Sequence, residues 1–287
     1  MTGLQLGCVA FLDILGFKGI WNREKAGAVL DKMRQIKRTG KGLQGSDRSG
    51  VLVSDDGFDH RVKCVSDTIL VSVVPRGRRC KERMLYKAMF STAWIAGWII
   101  REALDGAMPL LLRGCMSVGW LRLEGDFMIG PAVDDAAGLF EEADGPFFWM
   151  SPTALTLNDE FAETFHDRIE PGLMVRYPVP LKRGKIETLV HTYFGVRSKH
   201  WPQTRLRIKN AFGENLDRRV RKKLANADAF LDHIEEVAQV GTRDGQAGFR
   251  MPYWDDLTFS QRLQILKHSG FDADSKFPRR SEPLKLL

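Results

Sequence analysis

Apolar residues in the first quarter of the chain fall into runs that predict alternating strands and helices. Residues 5–13 (QLGCVAFLD) are rich in β-forming residues and end in an acid before a glycine turn, which predicts a buried strand. Apolar positions over residues 16–37 recur at roughly helical spacing, so a helix is expected next. Residues 60–74 (HRVKCVSDTILVSVV) then predict two short strands joined by a turn at Ser66 and Asp67.

The same patterns continue through the middle of the chain. They predict a loop over 40–49, a helix over 83–104, a long strand or strand pair over 109–123, short helices over 131–143 and 153–165, and a hairpin of 173–181 with 187–196. The order strand, helix, strand, strand, helix, strand fits a ferredoxin-like α+β domain, in which an antiparallel sheet carries helices on one face.

Composition changes after residue 196, where the strand-like patterns stop. Amphipathic spacing predicts a long helix over 216–237 and a shorter one over 259–268. We therefore expect two units: an α+β domain over residues 1–196 and a mainly helical C-terminal appendage over residues 197–287.

The chain is basic, and its excess charge is unevenly distributed. Its 43 Lys and Arg against 36 Asp and Glu give a formal charge of +7, which is compatible with a nucleic acid, an anionic surface or a polyanionic small substrate. Residues 197–223 hold ten of the basic residues and only two acidic ones. RNA-binding segments usually interleave stacking aromatic residues with basic ones, and here only Trp201 and Phe212 qualify. A solvated helix face and linker is therefore favoured, and contact with nucleic acid is the weaker alternative.

The chain shows none of the usual signals for a membrane or an oxidising compartment. No apolar run reaches the roughly 20 residues that cross a bilayer, and the N-terminal residues lack the basic region of a signal peptide. The cysteines are scattered without a C-x-x-C pair: Cys8, Cys64, Cys80 and Cys115. We expect a cytoplasmic protein with free thiols and no zinc site.

Two acidic residues stand where strands are predicted to end. Asp13 closes the first strand and Asp67 lies in the hairpin turn, each between strong β-forming residues. A single such acid would more simply be a turn or cap residue, but a carboxylate beside buried strands is costly unless it is paired or metal-bound. Carboxylate oxygens suit a hard cation such as Mg²⁺ or Mn²⁺. The turn at Gly16, before a predicted helix, adds backbone N–H groups of the kind that bind phosphate.

Five segments resemble, in order, the motifs of class III adenylate and guanylate cyclases: residues 11–17 (FLDILGF), 63–67 (KCVSD), 113–119 (RGCMSVG), 130–137 (GPAVDDAA) and 181–185 (LKRGK). The second segment has serine where the family has glycine, the third has its first glycine one position early, and the last carries one inserted residue. The motifs extend over about two-thirds of the chain. The resemblance implies a nucleotidyl cyclase, which closes a nucleoside triphosphate into a 3′,5′-cyclic nucleotide and releases pyrophosphate.

The resemblance also implies a role for each matching residue. Asp13, the Ile14 carbonyl and Asp67 would hold two Mn²⁺ or Mg²⁺ ions, as in two-metal phosphoryl transfer. The triphosphate would be bound by backbone N–H groups and two lysines: Leu15, Gly16, Phe17, Lys182 and Lys185. The base and ribose would be bound by Lys63, Phe127 and Asp134. Because the family forms its site between two cyclase domains, a chain with one such domain is expected to form a homodimer.

Three positions depart from the family pattern. The asparagine after the valine is Asp134, the transition-state arginine is Gly138, and the base-reading acid is Phe127, with Asp126 beside it. Losing one donor to developing charge costs roughly 10²- to 10³-fold in rate. Three basic residues are candidates for replacing the arginine, and the sequence does not rank them: Arg122, Arg183 and Lys185.

A freestanding domain with an altered base pocket resembles the bacterial pyrimidine cyclases of Pycsar antiphage systems, whose cyclic UMP or cyclic CMP switches on a co-encoded effector. With Lys63 as a donor and no acid at Phe127, a base rich in acceptors is favoured, so UTP is the expected substrate and CTP the second choice. Asp126 is the acceptor that could restore binding of an amino-bearing base. An ordinary adenylate or guanylate cyclase and a catalytically dead nucleotide-binding signalling protein are the alternatives.

Overall fold

Most of the described chain lies in eight β-strands and six α-helices. The computed structural model describes residues 3–22, 24–42, 57–77, 82–125, 127–165, 173–193, 201–212 and 217–243. The strands are β1 (Gln5–Ile14), β2 (Phe58–Val65), β3 (Thr68–Pro75), β4 (Leu112–Glu124), β5 (Phe127–Ile129), β6 (Phe148–Met150), β7 (Met174–Pro180) and β8 (Lys185–His191). The α-helices are α1 (Ala26–Gly42), α2 (Glu82–Leu104), α3 (Pro131–Leu139), α4 (Pro152–Phe165), α5 (Trp201–Phe212) and α6 (Arg218–Arg243). A 3₁₀-helix, Phe17–Asn22, lies between β1 and α1.

Strand β1 lies in the middle of the sheet and pairs on both sides. It runs antiparallel to β3 and to β4 within the order β2-β3-β1-β4-β6-β8-β7, and β5 extends from β4. Cys8, Val9, Ala10 and Leu12 are fully buried, as expected of a strand covered on both faces. The predicted α+β architecture is confirmed, with one parallel pair between β4 and β6.

The two faces of the sheet carry apolar layers of different size. Side chains alternate along β1, so Cys8, Ala10 and Leu12 enter the larger core with α1 and α2, while Val9 points to the opposite face. On that second face, helix α3 lays small side chains against Val9 and Leu121: Ala132, Val133 and Ala136. The second face therefore has a small apolar layer under α3, separate from the main core.

The segment after β1 differs from its prediction as one helix over residues 16–37. It begins with the 3₁₀-helix and continues as α1, which extends to Gly42 and into the predicted loop. The 3₁₀-helix places Ile20 in the core at 2% exposure, while Trp21 beside it stays 54% exposed. Spacing alone cannot reveal this interruption, because the 3₁₀ and α-helical periods are close over six residues.

Three further elements are not predicted by the sequence pattern. Strands β5 and β6 have three residues each, too few to show a period, and β6 (FWM) is buried at every residue. Helix α5 lies in the basic stretch, for which the sequence indicates a solvated helix face and linker without giving the bounds of a helix. The predicted helix over 259–268 and most of the predicted loop over 40–49 lie outside the described residues.

Helix α2 contains the apolar run of residues 88–100. It packs against β1 and β3, and its Ala88, Ala93 and Ala96 are fully buried in the main core. In the parts of the chain that the structure describes, no helix combines the length and apolar character needed to cross a bilayer.

The C-terminal helices pack against the α+β unit. Phe230 of α6 is fully buried beside Tyr177 of β7 and Phe147, with ring centroids 4.8 Å and 5.5 Å away respectively. The predicted helix over 216–237 is confirmed as α6. These contacts join the predicted appendage to the main core, while the domain boundary at residue 196 stays a prediction.

His191 is buried at the end of β8, against helix α2. Its Nδ1 accepts a hydrogen bond from the Tyr193 N–H at 3.0 Å, and its ring lies so close to Gly97 that a β-carbon there would collide with it. Nε2 has no hydrogen-bond partner among the described residues. Complete burial lowers the pKa of His191 to about 3, so the ring is neutral in the folded protein.

Stability should therefore fall on mild acidification. An unfolded histidine has a pKa near 6.5, so below that pH the unfolded chain gains a proton that the folded chain does not accept until about pH 3. From pH 7.5 to 5.5 this difference lowers the free energy of unfolding by about 1.4 kcal/mol. His191→Asn keeps an acceptor for the Tyr193 N–H and should lose that part of the pH dependence. Urea unfolding of the wild-type chain and of His191→Asn at pH 7.5 and 5.5 measures this change in the free energy of unfolding. The same pH dependence in both proteins would contradict a neutral buried imidazole.

Candidate active site

The end of β1 brings the two predicted carboxylates together. Antiparallel pairing places Asp13 opposite Thr68 of β3, the residue that directly follows Asp67. The Ile14 N–H donates to the Asp67 carbonyl at 3.2 Å. The two acids are close enough for the Asp67 charge to raise the pKa of Asp13. The sheet register thus places Asp13, Ile14 and Asp67 together at the end of the central strand β1. The sequence predicts a metal site at these residues.

Asp13 forms a buried ion pair with Arg113 of β4. The Nε and Nη2 of Arg113 both donate to Oδ2 of Asp13, at 3.0 and 2.9 Å, and each side chain is 11% exposed. Burial raises the pKa of Asp13, and the hydrogen bonds and positive charge of Arg113 oppose that rise. Arg113 therefore compensates part of the burial of the Asp13 carboxylate.

Arg113 is the main functional candidate to which the sequence analysis gave no role, although it lies in a matched motif. Besides Asp13, it contacts Glu141: Nη1 donates to the Glu141 carbonyl at 2.9 Å, and Nη2 is 3.5 Å from Glu141 Oε2. The signal in the sequence was an arginine directly after the apolar residues Leu110–Leu112, in a strand that pairs with the one ending in Asp13. Only the pairing register identifies the two as partners.

The donor set at this edge fits a divalent cation. Both hydrogen bonds from Arg113 fall on Oδ2 of Asp13, which leaves Oδ1 without a protein donor in the described ranges. Asp67 is half-buried and supplies a second hard oxygen ligand. No group of three or more His, Cys, Asp or Glu side chains suited to a metal occurs among the described residues. The two carboxylates of Asp13 and Asp67 are hard oxygen ligands of the kind that Mg²⁺ and Mn²⁺ take, commonly one or two together with substrate phosphates.

The glycine turn after β1 offers fewer backbone donors than the sequence predicts. The Leu15 N–H donates to the Leu111 carbonyl at 2.8 Å, so that donor is already committed to the protein. Gly16 has a φ of +75° and open space beside its α-carbon, and it precedes a 3₁₀-helix of six residues. The N–H groups of Gly16 and Phe17 have no protein acceptor in the described part of the chain, which leaves them as the donors for phosphate.

Lys182 lies beside the same cluster, two residues after the end of β7. Its N–H donates to the Glu142 carbonyl at 2.8 Å, and its Nζ is 3.7 Å from Glu141 Oε2 and 3.6 Å from Glu142 Oε1. Glu141 therefore bridges Lys182 and Arg113. Lys185, the first residue of β8, is exposed to solvent.

The predicted base and ribose residues lie farther from the carboxylates. Lys63 of β2 lies two strands from β1, about 10 Å across the sheet, and its Nζ donates to the Gly125 carbonyl at 3.1 Å. Phe127, two residues beyond Gly125, is 72% exposed. Asp134 is exposed in the first turn of α3, and Asp126 lies outside the described residues. Within one chain, Lys63 and Phe127 adjoin the β4–β5 turn rather than the end of β1 where Asp13 and Asp67 lie.

Solved structures of nucleotide cyclases resemble this fold. The adenylyl cyclase CyaB from P. aeruginosa matches with 14% identity and a TM-score of 0.43, covering 66% of this chain and 94% of that one. The catalytic core of a rhodopsin-guanylyl cyclase with converted specificity, in complex with ATPαS, matches with 16% identity and a TM-score of 0.45, covering 66% and 96%. A guanylyl cyclase domain from the aquatic fungus Blastocladiella emersonii matches with 14% identity and a TM-score of 0.42, covering 65% and 94%.

No protein-family model matches the chain, and neither does any curated protein. Identities of 16% or less and TM-scores of 0.45 or less do not transfer an activity. The chemistry of the site therefore has to be argued from this chain's own residues.

Removing Arg113 should destabilise the fold strongly. Arg113→Met leaves the buried Asp13 carboxylate without its partner, at a cost of roughly 3–5 kcal/mol in the free energy of unfolding. The double variant with Asp13→Asn should recover much of that loss. Arg76→Met is the matched control, because its 2.8 Å pair with Asp59 is about half exposed and should contribute under about 1 kcal/mol. Urea unfolding measures the free energy of unfolding of each variant. Equal decreases for Arg113→Met and Arg76→Met would rule out a buried Asp13–Arg113 pair.

Proposed function

We propose that the protein is a nucleotidyl cyclase that converts UTP into 3′,5′-cyclic UMP and diphosphate. The observation that carries the proposal is the Asp13–Asp67 pair at the end of β1, beside an open glycine turn and the basic side chains of Arg113 and Lys182. Two carboxylates for cations, backbone donors for phosphate and nearby positive charge are the requirements of phosphoryl transfer from a triphosphate.

In this reaction the ribose 3′-hydroxyl releases its proton to solvent, its oxygen attacks the α-phosphorus in line, and the bond to the departing diphosphate breaks. Asp13, Asp67 and the Ile14 carbonyl would hold two divalent ions. These ions would lower the pKa of the 3′-hydroxyl and neutralise the charge of the departing diphosphate. The N–H groups of Gly16 and Phe17 would fix the phosphates through hydrogen bonds, which orient the α-phosphorus toward the 3′-oxygen. Arg113 favours the ionised form of Asp13 and holds its carboxylate in place through two hydrogen bonds.

The preference for UTP rests on the donors and acceptors of the base pocket. Lys63 donates only, and Phe127 offers no acceptor where the family places an acid. Uracil presents two carbonyl oxygens, whereas the amino groups of adenine, guanine and cytosine would lack an acceptor. An unsatisfied buried donor costs about 1–3 kcal/mol, which corresponds to roughly 5- to 150-fold in selectivity. CTP is the second choice, and ATP and GTP follow.

A homodimer would complete the site. Lys63 and Asp13 share one face of the sheet but lie two strands apart, so a second copy facing this sheet could present its Lys63 to the nucleotide held at Asp13. Large apolar side chains are exposed on β2, β4 and β5, as expected of a contact surface: Val65, Trp120, Phe127 and Ile129.

The cyclic product would act as a second messenger. By the resemblance to Pycsar cyclases, cyclic UMP made in the cytoplasm would activate a separate, co-encoded effector in antiphage defence. A cell assay tests this role: replacing Asp13 by Asn in the native operon should abolish phage resistance, and resistance that persists would contradict it.

Incubation with each of the four nucleoside triphosphates and Mn²⁺ tests the activity directly. UTP should give cyclic UMP, with kcat/KM at least about fivefold above CTP and higher still above ATP and GTP. Mass spectrometry identifies the product, so a linear nucleotide is distinguished from a cyclic one. No cyclic product from any triphosphate would favour the catalytically dead alternative, and a preference for ATP or GTP would overturn the pyrimidine proposal.

Removal of either carboxylate should abolish turnover without unfolding the protein. Asp13→Asn keeps an acceptor for Arg113, and Asp67→Asn keeps the size of the turn residue, so both should fold. Each should lose at least about 10³-fold in kcat, because the ions contribute several kcal/mol to stabilising charge in the transition state. Asp159→Asn is the control, an exposed acid of α4 that pairs with Arg176. Near wild-type kcat in either site variant with Mn²⁺ would refute the metal assignment.

Mixing two inactive variants tests the composite site. If Asp13 and Lys63 act from different subunits, Asp13→Asn and Lys63→Ala chains should each be inactive alone, and a one-to-one mixture should regain about a quarter of wild-type activity through mixed dimers. Light scattering measures the oligomeric state in the same samples. An active monomer, or a mixture that stays inactive after subunit exchange, would argue against the dimer.

A further inference from the structure

Helix α6 points the side chain of Lys223 toward the body of the protein. Lys223 precedes Ala227 by four residues and Phe230 by seven, and both of these are fully buried. Residues at this spacing share one face of a helix. Lys223 is therefore half-buried on the packed face of α6, one turn before that face enters the core.

Two contacts fix this end of α6 next to the candidate active site. Lys222 Nζ is 2.6 Å from Asp144 Oδ2, and Asn226 Nδ2 donates to the Asp144 carbonyl at 2.6 Å. Asp144 follows three residues after Glu141, whose carboxylate and carbonyl both contact Arg113. A continuous set of contacts thus connects α6 to the Asp13 site.

The charged groups that act on Lys223 belong to the candidate active site or lie beside it. Burial lowers the pKa of Lys223, the positive charges of Arg113 and Lys182 lower it further, and Asp144 and Asp13 oppose the change. The Lys223 amine is therefore within electrostatic range of both the Asp13–Arg113 pair and Lys182.

Lys223 differs from its neighbours in that its side chain makes no direct ion pair with a described residue. Arg113 is paired with Asp13, and Lys182 lies near Glu141 and Glu142. The Lys223 side chain makes no hydrogen bond or close ion pair with any described residue. A half-buried cation that experiences the positive charges of Arg113 and Lys182 is stabilised when an anion binds beside it.

We infer that Lys223 binds the terminal phosphates of the nucleotide, so that the C-terminal helices supply part of the active site. The inference rests on the proposed function only in that the ligand is a nucleoside triphosphate. Lys223 then adds a charge-assisted hydrogen bond to phosphate oxygens that the Gly16 turn and Lys182 approach from the α+β unit.

Binding of inorganic tripolyphosphate, measured by calorimetry on the full chain, tests this without relying on turnover. Lys223→Met keeps the apolar stem and removes the charge, and its dissociation constant should rise by about tenfold or more. Arg221→Gln is the matched control, because it removes one positive charge from an exposed position of the same helix and should change binding less than about twofold. The melting temperature of Lys223→Met should not fall, because the substitution removes repulsion from Arg113 and Lys182.

Unchanged tripolyphosphate affinity in Lys223→Met, or no binding by the wild-type chain, would overturn the inference. Weakened binding in a protein that cyclises no triphosphate would support the Lys223 site and refute the proposed function. A second measurement uses the wild-type chain, so it does not depend on correct folding of the variant. Tripolyphosphate should slow the reductive methylation of Lys223, which mass spectrometry quantifies. The methylation of Lys209 of α5 should not change. Equal methylation of Lys223 with and without tripolyphosphate would also overturn the inference.

Discussion

The buried carboxylate of Asp13 is the constraint on which the arrangement of the site depends. A carboxylate that is 8% exposed at the end of the central strand has to be compensated, and β1 lies where compensation can come from both sides. Strand β4 supplies Arg113 directly opposite, and the β2–β3 hairpin brings Asp67 from the other side. The same geometry leaves one oxygen of Asp13 for a cation. The burial of Asp13 thus accounts for its ion pair with Arg113, and the sheet register brings the partner residues to it.

The hairpin that presents Asp67 illustrates how a departure from a family motif can be accommodated. Ser66 occupies the position where the resembling motif has glycine, and it adopts a φ of +56°. A two-residue hairpin turn needs a positive φ at its first central residue, which glycine adopts freely and other residues adopt at a cost of order 1 kcal/mol or more. The register from Val65 to Thr68 is continuous with the rest of the hairpin, so the strand pairing maintains the turn. The backbone geometry that the motif requires is therefore kept with a different residue.

Elements with a long apolar pattern or a characteristic polar turn were predictable from the sequence. Pairings between residues that are distant in the sequence were not. Strand β1, the β2–β3 hairpin and helix α2 were predicted because long apolar patterns and a polar turn determine them locally. Strand β6 has three buried residues and no alternation, so its pairing with β4 is determined only by the assembled sheet. The Asp13–Arg113 pair spans 100 residues of sequence and follows from strand register. The position of Lys223 depends on how α6 packs, which its basic surroundings in the sequence conceal.

In the proposed reaction, burial distinguishes the basic residues that would act on charge developing at the phosphates. The arginine of the family motif is Gly138, which lies exposed on α3 with open space around it. Of the candidates from the sequence, Arg122 is paired at 2.5 Å with Glu124, and Arg183 and Lys185 are exposed. Water screens an exposed charge, whereas a cation in a less polar environment interacts several times more strongly with the same phosphate. Arg113 is 11% exposed and Lys223 is half-buried, and both interact electrostatically with Asp13, so in the proposed reaction they would influence that charge more than the exposed candidates.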